Sequence, residues 1–293
     1  MDIIGKRRIW FAISLLIIIP GIISMAFKWV TVGLPLNLGI DFTGGNLINI
    51  EFKNDVTVIQ LRDALGEIGL EKSSIQMSGS RAAIIRTVVL DDEKQAGLLS
   101  ILKEKVGPYD EGKMSISKIG PTIGKELTRN AIVALLIASV LMVIYISFRF
   151  EFKFGISAII ALLHDVLVTL GIFSLFWWEV DSTFVAAVLT IIGYSINDTI
   201  VIFDRIRENL NKRKKGEDLA QLVNKSIMQT LVRSINTVLT VIFVLVALLV
   251  FGGTTIKIFT LALLIGVVSG AYSSIFNASP LWFVLKGVGK SRA

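Results

Sequence analysis

Six apolar runs, residues 9–27, 131–148, 155–177, 183–203, 227–250 and 258–285, are each long enough to cross the hydrocarbon core of a bilayer as a helix. In that solvent every backbone N–H and C=O must be satisfied within the chain, so the runs point to an α-helical bundle. The chain is 53% hydrophobic, with a mean hydropathy of +0.72, which is too apolar for an ordinary soluble domain. The formal net charge of +7 is not a nucleic-acid signal, because the basic residues sit in short segments beside the apolar runs, where they set orientation.

Lys6, Arg7 and Arg8 precede the first run, and Arg149 and Lys153 flank the second-to-third turn. Arg205, Arg207, Lys212, Arg213, Lys214, Lys215 and Lys225 crowd the fourth-to-fifth connection, and Lys286, Lys290 and Arg292 end the chain. Six spans put all of these on one side, so both termini are expected in the cytoplasm, with Trp177, Trp178 and the Phe-Gly-Gly-Thr-Thr turn at 251–255 facing outward. A cleaved signal peptide is the competing reading of the first run, with Ser24 and Ala26 as a weak small-x-small site.

Residues 35–129 have a different texture, with short alternating runs and balanced charge. Residues 47–52 alternate as a strand, 58–68 repeat at helical spacing, and 74–77 and 82–88 read as strands. Asp91 opens a second helix that stops at Gly107-Pro108, and an alternating strand follows at 114–119. The order βαββαβ is that of the ferredoxin-like split sandwich, a small α+β fold. The expected organisation is therefore a cytoplasmic end and first transmembrane helix (1–34), an extracytoplasmic ferredoxin-like domain (35–129), and a five-helix transmembrane bundle (130–293) with a basic cytoplasmic loop at 204–226. The segment after Gly216, with Leu219, Leu222 and Val223, reads as a short amphipathic helix on the membrane surface, where Lys212 to Lys215 would attract anionic lipid head groups.

The chain has no cysteine and a single histidine, so a disulfide framework, a thiolate nucleophile and Cys- or His-based metal clusters are excluded. No nucleotide-binding loop and no nucleophile paired with a base is present, and neither enzyme activity, cofactor nor metal is expected.

The chemistry is concentrated inside the spans. Asn197 and Asp198 interrupt the fourth, and an ionisable residue there is costly unless it meets a partner or water. Asp198 lies six residues inside Asp204, about 9 Å along the helix. Arg233 sits at matched depth in the next span, with Asn236, Thr237 and Thr240 on its face, and this stripe is expected to face Asp198. An Asp–Arg pair that separates when helices move couples proton binding to conformation, whereas a static pair fixes only how two helices pack. Tyr194 lies one turn from Asp198, and Gly193 with Asn197 permits close helix approach. His164 and Asp165 sit about 15 Å into the third span, as an extension of a proton path or as a packing contact, and rank below Asp198. Two glycine-containing stretches, LGIDFTGG at 38–45 with Gly39, Asp41, Gly44 and Gly45, and IGPTIGKEL at 119–127, frame the external domain as turns rather than phosphate cradles.

IGYSINDTIVIFDRIREN, with LGIDFTGG after the first span, IGPTIGKEL before the second, HDV in the third and RSINTVLT in the fifth, resembles the SecD/SecF family of bacterial protein-export subunits, over nearly the whole chain. The resemblance implies the resistance-nodulation-division superfamily and location in the bacterial cell membrane. It also implies a SecD partner completing a twelve-span unit, the SecYEG channel and SecA ATPase as the larger assembly, and use of proton-motive force to draw polypeptides across. It places the proton relay on Asp198 and Arg233. Two alternatives stand beside it: a small-molecule or lipid exporter of the same superfamily, and a non-transporting assembly subunit.

Overall fold

The computed structural model describes residues 1–71, 73–149, 151–253 and 256–288; Thr254, Thr255, Lys290 and Arg292, used above for orientation, lie outside the described residues. In chain order the elements are α1 (Arg7–Val32), β1 (Asn37–Leu38), α2 (Ile40–Thr43), β2 (Gly45–Glu51), α3 (Val58–Gly66), β3 (Ser74–Ser78), β4 (Ala82–Thr87), α4 (Asp92–Ile101), β5 (Ser115–Ile119), α5 (Pro121–Arg149), α6 (Phe152–Phe176), β6 (Glu179–Val180), α7 (Ser182–Asn211), α8 (Leu219–Phe251), α9 (Lys257–Ser273) and α10 (Ser279–Val288). A π turn, Ser274–Ala278, joins α9 to α10. The chain divides into two compact units, residues 1–37 with 133–293, and residues 38–132.

The first unit holds the helices. Six helical stretches among the described residues have the length and apolarity to cross a membrane, the last being Lys257–Gly287. Helix contacts form where side chains are smallest, since close approach is what drives packing among apolar helices. On α1, a Cβ at Gly21 would lie 2.5 Å from the Gly171 Cα of α6. On α9, Gly266 and Gly270 form a small-xxx-small step against α7: a Cβ at Gly266 would sit 2.2 Å from Ile191 Cδ1, and one at Gly270 would sit 3.2 Å from Ser195 Cβ. At Gly193 an added Cβ meets nothing within 4 Å, so the close approach expected there occurs on the opposite helix.

The fourth-to-fifth connection is shorter than expected. Helix α7 continues to Asn211 because its charges pair along one face, Arg205 with Glu208 at 2.6 Å and Lys212 with Glu208 at 2.6 Å. Helix α8 already begins at Leu219, where Asp218 accepts hydrogen bonds from the amides of Ala220 and Gln221. The segment read as a separate amphipathic helix is thus the first turns of α8. The chain start is fastened to it: the Ile3 and Ile4 amides both donate to Asn224 Oδ1 at 3.0 Å, and both isoleucine side chains are buried.

In the second unit, four antiparallel strands take the order β3-β4-β2-β5. Alternation puts Ile48 and Ile50 of β2 opposite Ile85 and Ala83 of β4, and this face is covered by Leu61 and Leu65 of α3 and Leu98 of α4. Thr57 and Gln60 form a capping box at α3, and Asp91 caps α4 through the Lys94 amide. Gly44, with φ at 76°, gives the left-handed turn from α2 into β2. Gly45 leaves no room for a side chain, since its Cβ would lie 2.3 Å from the Thr87 carbonyl oxygen.

Candidate functional site

Asp165 of α6 has no exposed surface and accepts hydrogen bonds from three helices. Ser269 Oγ of α9 donates to Oδ1 at 2.7 Å, while Ser195 Oγ of α7 (2.6 Å) and Ser273 Oγ of α9 (2.7 Å) donate to Oδ2. His164 Nδ1 lies 2.9 Å from Oδ1, so with an ionised Asp165 the Nδ1 proton points at the carboxylate. These groups occupy all four acceptor positions of a carboxylate. The serines arrive there because Gly266 and Gly270 let α9 settle against α7, and because Ser269 and Ser273 are one turn apart. His164 stacks against Tyr272 at 6.0 Å, and its Nε2 is buried without a hydrogen-bond partner. It borders an apolar crevice of about 340 Å³ lined by Leu15, Ile18, Leu163 and Leu167, with Ser14 and Asn277 as the polar residues.

Asp198 is held differently. It lies one turn beyond Ser195 on α7, is partly exposed, and accepts from Ser234 Oγ of α8 at 2.6 Å and Ser274 Oγ at 2.7 Å. The two sites meet on the last span, where consecutive residues serve different carboxylates: Ser273 donates to Asp165 and Ser274 to Asp198. Ser274 is also the first residue of the π turn, a widened turn that often marks functional positions in helices. Within that turn Asn277 Nδ2 donates to Ser14 Oγ of α1 at 2.8 Å, so the turn is bonded to α7 and α1 at once.

Comparison with known proteins identifies the family. The family model described as "Protein export membrane protein SecD/SecF, C-terminal" matches residues 99–288, and the SecD/SecF GG motif matches residues 29–56. The chain belongs to the SecD/SecF family. It is 46% identical, over 96% of its length and 92% of the relative's, to the protein translocase subunit SecF of Thermobaculum terrenum. It is 43% identical over 98% of its length to Bacillus subtilis SecDF, of which it covers 38%. A crystal structure of SecDF from Thermus thermophilus matches 98% of this chain with a TM-score of 0.86 at 36% identity, and the chain spans 39% of that protein.

Within this SecD/SecF chain the residues singled out from sequence fall into two groups. Asp198 and Asp165 are brought into one serine-linked network, and Tyr194 lies one turn before Asp198 on α7. Arg233 is not brought to Asp198. It is exposed, as are Asn236, Thr237 and Thr240 beside it and Asn197 on α7, and among the described residues no ion pair joins Arg233 to Asp198. The matched depth holds, because the next residue, Ser234, is the one that reaches the carboxylate; the stripe itself lies on the outward face of α8. In the GG motif, Gly39, Gly44 and Gly45 are buried and Asp41 sits within α2. A Cβ at Gly124 of the second glycine stretch would lie 2.7 Å from the Phe42 carbonyl oxygen, so this pair of motifs makes a backbone-to-backbone contact. Among the described residues no cluster of three or more His, Asp or Glu is placed to hold a metal. The serines at 195, 234, 269, 273 and 274 were not foreseen, although 269 and 273 share one helix face, as do 195 and Asp198.

Proposed function

We propose that this chain forms one half of a proton-driven protein-export unit of the bacterial cell membrane, completed by a SecD half and working beside the SecYEG channel and SecA on the translocating polypeptide. The observation that carries the reading is Asp198: an ionisable group inside an apolar helix, held by two hydroxyls and open on one side. Carboxylates in such positions belong to ion pathways unless fully paired. Next to it on α7 Asn197 is exposed, and on α8 Arg233, Asn236 and Thr237 form an exposed polar face within a spanning stretch. Such a face needs a protein partner or a water-filled path, which the SecD half of a twelve-span, resistance-nodulation-division-type unit supplies.

In this reading a proton taken up by Asp198 removes the charge that Ser234 and Ser274 hold, and α7, α8 and the last span are released to shift. Arg233 on the partner-facing side stabilises the ionised form when the shift brings it closer. The basic segments favour both termini in the cytoplasm. Residues 38–132, with their βαββαβ order, act as a ferredoxin-like extracytoplasmic lever with no chemistry of their own. ATP use belongs to SecA.

The test is export of a reporter polypeptide in cells complemented with Asp198→Asn, with membrane level and SecD association measured in parallel. Asn keeps shape and removes titration. The expected result is normal assembly with export that no longer responds to proton-motive force. Export with unchanged proton dependence would make Asp198 a packing residue and overturn the reading.

A further inference from the structure

The buried Asp165 is a carboxylate that the proposed proton step does not use, yet among the described residues it gathers more hydrogen bonds than any other side chain in the bundle's polar network. We infer that Asp165 is a positioning residue: its carboxylate fixes Ser273, and through the adjacent Ser274 it sets the hydrogen bond that Ser274 donates to Asp198. The inference deepens the reading of Asp198 as the titrating group.

The geometry supports it in three ways. The acceptor positions of Asp165 are filled by three hydroxyls and one imidazole, and a protonated Asp165 would have to turn one of these donors away. Asp198 accepts from two hydroxyls and so retains open acceptor positions. Ser273 and Ser274 are neighbours in the chain, about 100° apart around the helix, and can reach carboxylates on α6 and α7 together only while α9 stays wedged between those helices. Asp165 bonds α9 at two rungs, Ser269 and Ser273, and so fixes both its height and its rotation just before the π turn begins.

The charged and titratable groups around Asp198 are few. Helix α6 brings His164 and Asp165, already bonded to each other. Helix α8 brings Arg233, which is exposed, the last span brings Tyr272, whose hydroxyl donates to the Trp10 carbonyl oxygen at 2.7 Å, and α7 itself brings Tyr194 and, two turns on, Asp204 and Arg205. Ser234 and Ser274 are thus the direct donors to Asp198 among the described residues.

The test is the pH profile of labelling by dicyclohexylcarbodiimide, which reacts with protonated carboxyls in apolar surroundings, read by mass spectrometry at each Asp of the full chain in native membranes with its partner. Asp198 is expected to label with a titration curve and Asp165 to stay unlabelled across it. Ser274→Ala removes one donor to the anion and is expected to extend Asp198 labelling to higher pH by about one pH unit. Asp165→Asn and the milder Ser273→Ala are expected to move the curve the same way, the milder variant less. If Asp165→Asn fails to reach the membrane, Ser273→Ala carries the test alone. Labelling of Asp165 with its own titration curve would make it a proton carrier and overturn the inference, as would Asp198 curves unchanged in Ser274→Ala and Ser273→Ala. Labelling does not require export, so an Asp198 curve that shifts as expected while Asp198→Asn keeps proton-dependent export would remove the motor reading and leave the positioning role standing.

Discussion

Asp165 and Asp198 are both carboxylates inside apolar helices and both take their hydrogen bonds from serines, yet Asp165 is fully enclosed with four donors while Asp198 is partly exposed with two. Burial without compensation costs several kcal/mol for an ion, so the enclosed site must be saturated to exist at all. The partly exposed site is left unsaturated, and in the proposed function this is the opening through which a proton would reach it. On the proposed reading, the number of donors, more than depth in the membrane, separates the positioning carboxylate from the titrating one.

The strongest way to break this comparison is to remove each carboxylate. Asp165→Leu strands three hydroxyls and an imidazole and is expected to cost about 3–5 kcal/mol, seen as a large fall in thermal unfolding temperature in detergent. Asp198→Asn retains an acceptor for its two serines and is expected to lie within about 1 kcal/mol of the parent. Equal losses in the two variants would erase the distinction. Next in size are the glycines that bring the donors in. Gly266→Leu, with Ile191 already 2.2 Å from its first added carbon, is expected to cost roughly 1–3 kcal/mol by overpacking. Gly193→Leu, with nothing within 4 Å, should stay within about 0.5 kcal/mol in the same unfolding experiment.

The chain start gives a surface reference for the buried sites. Asn224→Ala removes the acceptor for the Ile3 and Ile4 amides and is expected to cost about 1 kcal/mol, read as faster proteolysis of the first residues. The smallest effect is on pH. The Gly5 amide, and after it the Asn224 side chain, hold the Asp2 carboxyl below the usual aspartate value. A lowered value means that its contribution is present above the unfolded value of 3.8 and fades as pH falls through the folded one. Hydrogen exchange at the Ile3 and Ile4 amides should therefore show lost protection, relative to neutral pH, only in acid below about pH 4. Loss of protection at pH 6 would contradict the assignment.

Much of the architecture was legible because it rests on period. Alternation located β2, β4 and β5 to within a residue or two, and Asp91 was read as the start of α4, where it is the cap. Apolar length located the spans. The misreadings have a common cause: a one-helix pattern says which residues share a face and nothing about what that face meets. Arg233, Asn236, Thr237 and Thr240 do share a face, but Ser234 on the adjacent face reaches Asp198. Serine carries little signal in an apolar helix, where a hydroxyl can donate to the carbonyl oxygen one turn back, as Ser226 does to Leu222 at 2.8 Å. Only the meeting of three helices identifies serines 195, 269 and 273 as a site. The charges between Asp204 and Lys225 read as a loop because like-signed runs usually are, while their i,i+3 and i,i+4 pairs support helix instead.

Helix α8 has 33 residues and is about 50 Å long, against a hydrocarbon thickness of about 30 Å. With α7 continuing to Asn211 beside it, bonded through Asn209 to Ser226 at 2.8 Å and to Gln229 at 2.9 Å, the surplus length forms a paired two-helix extension closed by a short basic tip. A twist or pull applied at that tip travels along unbroken helix to Ser234 and Asp198, without a flexible joint to absorb it. In the proposed function this extension would be a handle through which load applied at the basic tip reaches the carboxylate, and through which a change at the carboxylate is passed back to the tip.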